Sequence, residues 1–172
     1  IPAATSAFNI GTIFRGQAIN LDYLASVIGE AVDSHAALSQ GSILRLEDRL
    51  MIVLPGDLLF QPEGAEMTDP GRQALFVLGG VLRNIGNEIG VNGHTGTTSP
   101  VDGRYASNWE LSTARAVSVA NTLRQSGYLN DITAFGYADS RPGPLSGLSE
   151  DRRDTLARRI EIIVRPEAGA VR

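Results

Sequence analysis

The chain contains no cysteine and no lysine, and only two of its 172 residues are histidine. The absence of cysteine excludes disulfides, thiol catalysis and cysteine-based zinc sites. The two histidines, His35 and His94, are well separated in the sequence, which disfavours a metal centre. We therefore expect neither a metal site nor a cofactor, and the lack of cysteine is compatible with an oxidising compartment.

Long apolar segments are also absent. No run approaches the roughly 20 residues that a helix needs to cross a bilayer, and no signal peptide is recognisable. The chain begins at Ile1 rather than at methionine. We therefore expect a fragment or a mature form, with room for an N-terminal membrane anchor that this sequence does not include.

Positive charge comes from arginine alone. The 15 basic residues are all arginine, and 19 acidic residues give a net charge of −4. A nucleic-acid-binding protein normally presents a basic face, so this balance predicts that nucleic acid is not a partner. Arginine suits bidentate recognition of a carboxylate better than lysine does.

The residue pattern divides the chain into three parts. Residues 1–40 are interpreted as a tether and an N-terminal amphipathic helix, 41–167 as the main domain, and 168–172 as a tail. The helix, from Gln17 to about Leu38, docks on its own domain or on a partner, and the first outcome is the commoner one.

The main domain is predicted to be α/β, in the form of an α+β sandwich. Two strands, Ser42–Leu46 and Leu50–Leu54, form a hairpin around a polar turn. Helices then alternate with strands that begin at Glu88, Ile132 and Arg159. This alternation predicts a mixed sheet with helices packed on one face.

The best-marked helix follows Ser107. Ser107 is predicted to cap the first turn, and Glu110 to reach back to the cap. Beyond it, three apolar residues and one arginine recur every four residues and share one face: Leu111, Arg115, Val119 and Leu123. A guanidinium on a core-facing stripe needs an anion. Two interpretations stay open: Arg115 pairs with an internal carboxylate or reaches solvent, or it faces a recessed pocket for a ligand carboxylate.

Five motifs follow one another between about Ser42 and Pro166. They are Leu59-Phe60 with Gly64-Ala65, Gly93-His94-Thr95, the string from Asn108 to Ala116, Gly136-Tyr137 with Arg141-Pro142, and Arg158-Arg159-Ile160-Glu161. In this order they resemble the OmpA C-terminal-like domains, and especially their MotB-like members. The resemblance implies an OmpA-like βαβαβαβ fold that binds the stem peptide of peptidoglycan noncovalently, at diaminopimelate or an equivalent group.

The same resemblance implies a set of ligand-binding residues. Arg115 matches the arginine that holds the ligand carboxylate, and an arginine–carboxylate pair is both strong and directional. Five residues complete the implied site: Phe60, Thr95, Asn108, Leu111 and Arg158.

Three positions depart from the family pattern. Gly96 stands where an aspartate usually takes the ligand ammonium, Gln61 where a second acidic residue is usual, and Ala157 where asparagine is usual. Losing a charge-assisted contact of this kind costs roughly 1.5 to 3 kcal/mol. Asp102, six residues past Gly96, is one hypothetical substitute. Glu63 and Glu66 are others, and the alternative for all three is a solvated loop carboxylate.

The leading hypothesis is a non-enzymatic periplasmic anchor of a flagellar-motor stator. It would act as a homodimer and reach a membrane partner through its N-terminal segment. The alternative keeps the fold, abandons the pocket, and serves as a protein-interaction or dimerisation module. A wall hydrolase has little support, because the acidic residues show no catalytic spacing. We expect Trp109 to be a partly buried packing residue rather than a partner anchor.

Overall fold

The computed structural model describes residues 20–83, 87–98, 100, 104–141 and 149–166. The strands of this part are β1 (Ser42–Arg45), β2 (Leu50–Pro55), β3 (Ile89–Gly93), β4 (Ile132–Gly136) and β5 (Arg159–Val164). The helices are α1 (Leu21–Ser34), the single turn α2 (Gly56–Leu59), α3 (Asp69–Leu82), α4 (Asn108–Gln125) and α5 (Glu150–Ala157). A short 3₁₀ turn, Ala36–Leu38, follows α1.

The strands form one mixed sheet in the order β1-β2-β5-β3-β4. β3 and β4 run parallel, whereas the other neighbouring strands are antiparallel. β5 is the central strand, and its Ile162 lies opposite Ile52 on one side and Val91 on the other. The predicted mixed α+β sheet, with its opening hairpin, is confirmed.

The hydrophobic core lies between the sheet and the helices α1, α3 and α4. Leu24 and Ile28 of α1, Leu75 of α3 and Val119 of α4 belong to one buried cluster with the sheet residues. The predicted N-terminal helix is thus present and docks on its own domain. It begins later than predicted, because Asn20 caps it by accepting a hydrogen bond from the Tyr23 backbone N–H at 3.1 Å. α5 buries none of its residues.

Two glycines set how closely α4 approaches the sheet. Gly93 and Gly136 lie opposite each other where the parallel strands β3 and β4 end. A Cβ at Gly93 would be 2.2 Å from the Ser112 carbonyl oxygen, and one at Gly136 would be 2.3 Å from Thr113 Oγ1. Only glycine permits this contact, which seats the first turns of α4, and therefore Arg115, at the ends of these strands.

No helix in the described part is long and apolar enough to cross a membrane. Several predictions fall on residues outside the described ranges. These are the tether up to residue 16, the substitute carboxylate of Asp102 and the tail 168–172.

Candidate functional site

Arg115 lies on the inner side of α4, as the four-residue spacing predicts. It is 5% exposed, and Leu111, Val119 and Leu123 on the same stripe are buried as well. Its guanidinium carbon is 5.0 Å from the centre of the Phe60 ring. Its Nε donates a 2.8 Å hydrogen bond to the Gly64 carbonyl oxygen. The helix thus presents a guanidinium that is held by an aromatic ring and one backbone oxygen.

No carboxylate of the described residues lies within 4.0 Å of this guanidinium. Burial lowers the pKa of Arg115 below its ordinary value; the charge of Asp57 opposes that shift and the charge of Arg158 adds to it. Arginine stays protonated under such conditions. A buried cation without a close counter-ion is costly, and a ligand carboxylate would relieve that cost.

Arg158 is engaged within the chain. Its Nε and Nη2 donate to the two carboxylate oxygens of Asp57 at 3.0 and 2.9 Å, which is a bidentate pair. Hydrogen bonding from Arg158 lowers the pKa of Asp57, although burial opposes the shift. Arg158 also adjoins Arg115, because a Cβ at Gly56 would lie 2.9 Å from the Arg158 carbonyl oxygen and 3.4 Å from Arg115 Nη1. Asp57 is thus paired directly with Arg158, whereas its charge acts on Arg115 only from beyond ion-pair distance.

Asn108 and Thr95 form hydrogen bonds that hold the loop after β3 in place. Asn108 Nδ2 donates to the carbonyl oxygens of Gly96 and Thr98, both at 3.2 Å, so it fastens this loop to the start of α4. The Thr95 backbone N–H donates to the Ala138 carbonyl oxygen at 2.8 Å. The Thr95 hydroxyl is buried and has no hydrogen-bond partner in the described part of the chain.

A cavity of about 290 Å³ opens next to this loop. Thr95, Gly96 and Ala157 line it, so two of the three positions that depart from the family pattern border the same space. Arg115 is not among the described lining residues. Arg158 connects the two regions, since a Cβ at Gly96 would lie 3.8 Å from Arg158 Cγ.

The other residues considered for an acidic ligand contact are not among the described residues that line this cavity. Gln61 lines a second cavity, of about 510 Å³, together with Asp57 and Asp69. Glu66 is exposed and forms a 3.3 Å ion pair with Arg104. Glu63 occupies a turn with a positive φ of 58°.

The sequence did not predict the buried charge network beside the site. Glu161 accepts from Arg159 Nε at 2.9 Å and contacts His94 Nε2 at 2.9 Å. Arg159 also donates to the carbonyl oxygens of Leu156 and Arg141. His94 stacks on the Tyr137 ring, with centroids 5.3 Å apart. The network fixes the residue before Thr95 and the end of α5, so it supports both walls of the cavity.

A family model decides the classification. The model described as the OmpA family matches residues 59–155, which is more than half of the chain. The chain belongs to the OmpA family. This OmpA-family chain is also 30% identical over 146 residues to the uncharacterized protein YtxE of Bacillus subtilis (strain 168), covering 84% of its own length and 60% of YtxE.

Solved structures share the fold of this OmpA-family chain. A putative MotB-like protein from Desulfovibrio vulgaris superposes with a TM-score of 0.73 at 21% identity, over 88% of this chain and 98% of that one. The cell wall anchor of the T6SS from Pseudomonas aeruginosa gives 0.70 at 28% identity, over 83% and 96%. The periplasmic domain of Helicobacter pylori MotB gives 0.64 at 22% identity, over 73% and 81%.

Two local predictions at the start of α4 need correction. Ser107 accepts the expected bond from the Glu110 backbone N–H at 3.3 Å, but the Glu110 carboxylate accepts from the backbone N–H of Ala106 rather than that of the cap. Trp109 is 55% exposed, so its assignment as a partly buried packing residue is wrong. It lies two residues before Leu111, off the buried stripe, and therefore points away from the core.

Proposed function

We propose that this chain is a noncovalent peptidoglycan-binding module that anchors a membrane protein complex to the cell wall. The observation that carries the proposal is the buried guanidinium of Arg115, which has no carboxylate within 4.0 Å in the described ranges. A stem-peptide carboxylate would supply the missing counter-ion. Phe60 below the guanidinium and the fixed Nε bond to Gly64 restrict its orientation, which favours a directional pair.

The relatives support a role at the wall. The structure from Pseudomonas aeruginosa is described as a cell wall anchor, and two others are MotB or MotB-like. We extend this to a periplasmic anchor of a flagellar-motor stator that grips diaminopimelate or an equivalent group. In the assembled machine it would act as a homodimer, tethered to the inner membrane through the N-terminal segment and without catalysis.

Co-sedimentation with purified sacculi tests the proposal. The unmodified chain should sediment with sacculi, and Arg115→Ala should remain in the supernatant. Arg124→Ala is the matched control, because Arg124 is an exposed arginine on the same helix. A thermal melt of each variant separates lost binding from lost folding. Equal sedimentation of the unmodified chain and Arg115→Ala would refute the proposal.

One observation favours a second candidate, a protein-interaction module. Trp109 exposes 55% of its surface at the start of α4, and exposed tryptophan is typical of binding surfaces. If the unmodified chain fails to bind sacculi, yet Trp109→Ala dissociates a homodimer detected by light scattering, the second candidate replaces the first.

A further inference from the structure

Trp109 is the only tryptophan of the chain, and it lies exposed in the first turn of α4. Its relative exposure is 55%, although tryptophan is highly buried on average. We propose that the Trp109 indole stacks on a sugar ring of the glycan strand, so that the chain contacts the wall polymer at a second point besides Arg115. The proposal rests on the function proposed above, in which Arg115 holds a carboxylate of the stem peptide.

The backbone of Trp109 is held in one position. The hydroxyls of Ser112 and Thr113 both donate to its carbonyl oxygen, at 3.1 and 2.8 Å. Ser107 caps the same turn by accepting from the Glu110 backbone N–H at 3.3 Å. The indole itself turns about only two side-chain bonds, so little conformational entropy is lost when a ligand covers it. The first turn of α4 therefore presents a rigid aromatic surface.

A short segment connects Trp109 to the Arg115 site. Arg104, at its start, lies against Gly64, where a Cβ would be 3.2 Å from Arg104 Nη2. Gly64 also accepts the hydrogen bond from Arg115 Nε. Along α4, Trp109 lies about 9 Å before Arg115 and about a third of a turn away around the helix axis. The indole is therefore at the edge of the region that contains Arg115.

This separation suits a peptide that is joined to a sugar. An extended peptide advances by about 3.5 Å per residue, so about three residues span the distance between the two side chains. A stem peptide whose carboxylate is held at Arg115 can therefore bring the glycan to which it is attached over Trp109. A free amino acid at Arg115 would leave the indole uncovered.

The size and the surroundings of the exposed surface favour a sugar over a protein partner. One tryptophan side chain buries at most about 250 Å², whereas a stable protein interface needs about 800 Å² from each partner. The residues beside Trp109 on α4 are polar: Asn108, Glu110 and Thr113. The next exposed large apolar residue of the helix is Val117, about two turns further along. A pyranose ring has apolar C–H faces and a rim of hydroxyls, so it can stack on the indole while its hydroxyls bond to polar neighbours.

The fluorescence of Trp109 tests the proposal, because no other tryptophan contributes to it. Three probes are added to the full chain. The first is a disaccharide tripeptide, N-acetylglucosaminyl-N-acetylmuramyl-tripeptide ending in meso-diaminopimelate; the second is the same tripeptide without sugars; the third is chitotetraose, which has sugars and no peptide. The disaccharide tripeptide should move the emission maximum to shorter wavelength, and the tripeptide alone should not. Chitotetraose should move it as well, even in Arg115→Ala, because it does not need the guanidinium.

Affinities measured by calorimetry give the discriminating comparison. The unmodified chain should bind the disaccharide tripeptide about threefold to tenfold more tightly than the tripeptide, the range expected for one aromatic stacking contact. Trp109→Ala should bind the two equally, and Trp109→Phe should recover part of the preference, because phenylalanine keeps an aromatic face. Tyr23→Ala is the matched control, since Tyr23 is an exposed aromatic residue on α1, and it should keep the full preference. Melting curves of the variants separate lost contacts from lost folding.

The outcomes separate this proposal from the proposed function. If the chain sediments with sacculi but binds the tripeptide equally with and without its sugars, the sugar contact is refuted and the anchor stands. If the chain neither sediments nor binds the tripeptide, yet chitotetraose shifts the emission of Trp109, the anchor fails and the sugar contact stands. If Trp109→Ala dissociates a homodimer in light scattering and keeps the preference for the disaccharide tripeptide, the indole serves a protein partner and the sugar contact is refuted.

Discussion

Replacing Glu161 by glutamine removes one charge from the side chain, and this single change should strongly destabilise the domain. The Glu161 carboxylate contacts His94 and Arg159, each at 2.9 Å, and the three side chains are 12%, 1% and 9% exposed. Burial alone would raise the pKa of Glu161, but the hydrogen bonds and charges of His94 and Arg159 lower it from 4.5 to about 2. The folded state therefore favours the ionised carboxylate.

The magnitude follows from this pKa. Lowering a carboxyl pKa from 4.5 to about 2 in the folded state corresponds to about 3 kcal/mol of stability. Because the folded pKa lies below the unfolded value, this contribution is complete above pH 4.5 and is lost as the pH falls toward 2. Arg159 keeps its hydrogen bonds to the carbonyl oxygens of Leu156 and Arg141 in the variant. We therefore expect the free energy of unfolding to fall by about 3 kcal/mol, which is at the low end of the range for breaking a buried ion pair.

Urea unfolding at two pH values measures this effect. At pH 7 Glu161→Gln should unfold at a much lower urea concentration than the unmodified chain. At about pH 3 the gap should narrow to roughly half, because the carboxyl is then mostly protonated in the unfolded state but still mostly ionised in the folded state. Glu66→Gln is the control, since its pair with Arg104 is exposed and contributes less than about 1 kcal/mol. Equal losses for both variants at pH 7, or a gap at pH 3 as large as the gap at pH 7, would refute the reasoning.

Further predictions concern close packing and charge around the site. Gly93→Ala should destabilise by about 2 kcal/mol or more in urea unfolding, since its Cβ would lie 2.2 Å from a backbone oxygen of α4. Gly80→Ala in α3 should stabilise by up to about 1 kcal/mol, because nothing described lies within 4 Å of its Cβ; a loss at Gly80 would contradict the packing account. Gly96→Asp should fold normally and strengthen sacculus binding by about threefold or more, because the position has room and the new carboxylate joins the cavity. Asp57→Asn should lower the free energy of unfolding by less than about 1 kcal/mol in urea at pH 7. When the urea experiment is repeated at lower pH, the unmodified chain should lose this advantage, because the pKa of Asp57 lies below its ordinary value in the folded state. Asp57→Asn should also tighten sacculus binding, because it frees the Arg158 guanidinium. Weaker binding would show that Arg158 needs Asp57 to support the site.

Local patterns predicted the fold well, since periodicity and caps act over a few residues. The strand from Arg159 to Val164 and the helix capped by Ser107 occur as predicted. The inward position of Arg115 followed from its four-residue spacing alone. Gly127, with a φ of 111°, follows the C-terminal end of that helix, where a left-handed residue is usual.

The site could be predicted only in part, because its partners come from distant segments. Arg158 and Asp57 are 101 residues apart, and their pair has no local signature. Glu161 and His94 are 67 residues apart, and their contact depends on the register of β5 against β3. The cavity beside Gly96 lies between a turn after β4 and a surface helix with no buried residue, so no hydrophobic pattern marked it.

The affinity of the full chain for purified sacculi, measured beside that of Arg115→Lys, tests the central claim most directly. Lysine keeps the positive charge and the hydrophobic stem but cannot form the bidentate pair. The account predicts saturable binding by the unmodified chain and binding weaker by about tenfold or more for Arg115→Lys, with similar melting temperatures. Equal affinities, or no binding by the unmodified chain, would contradict it.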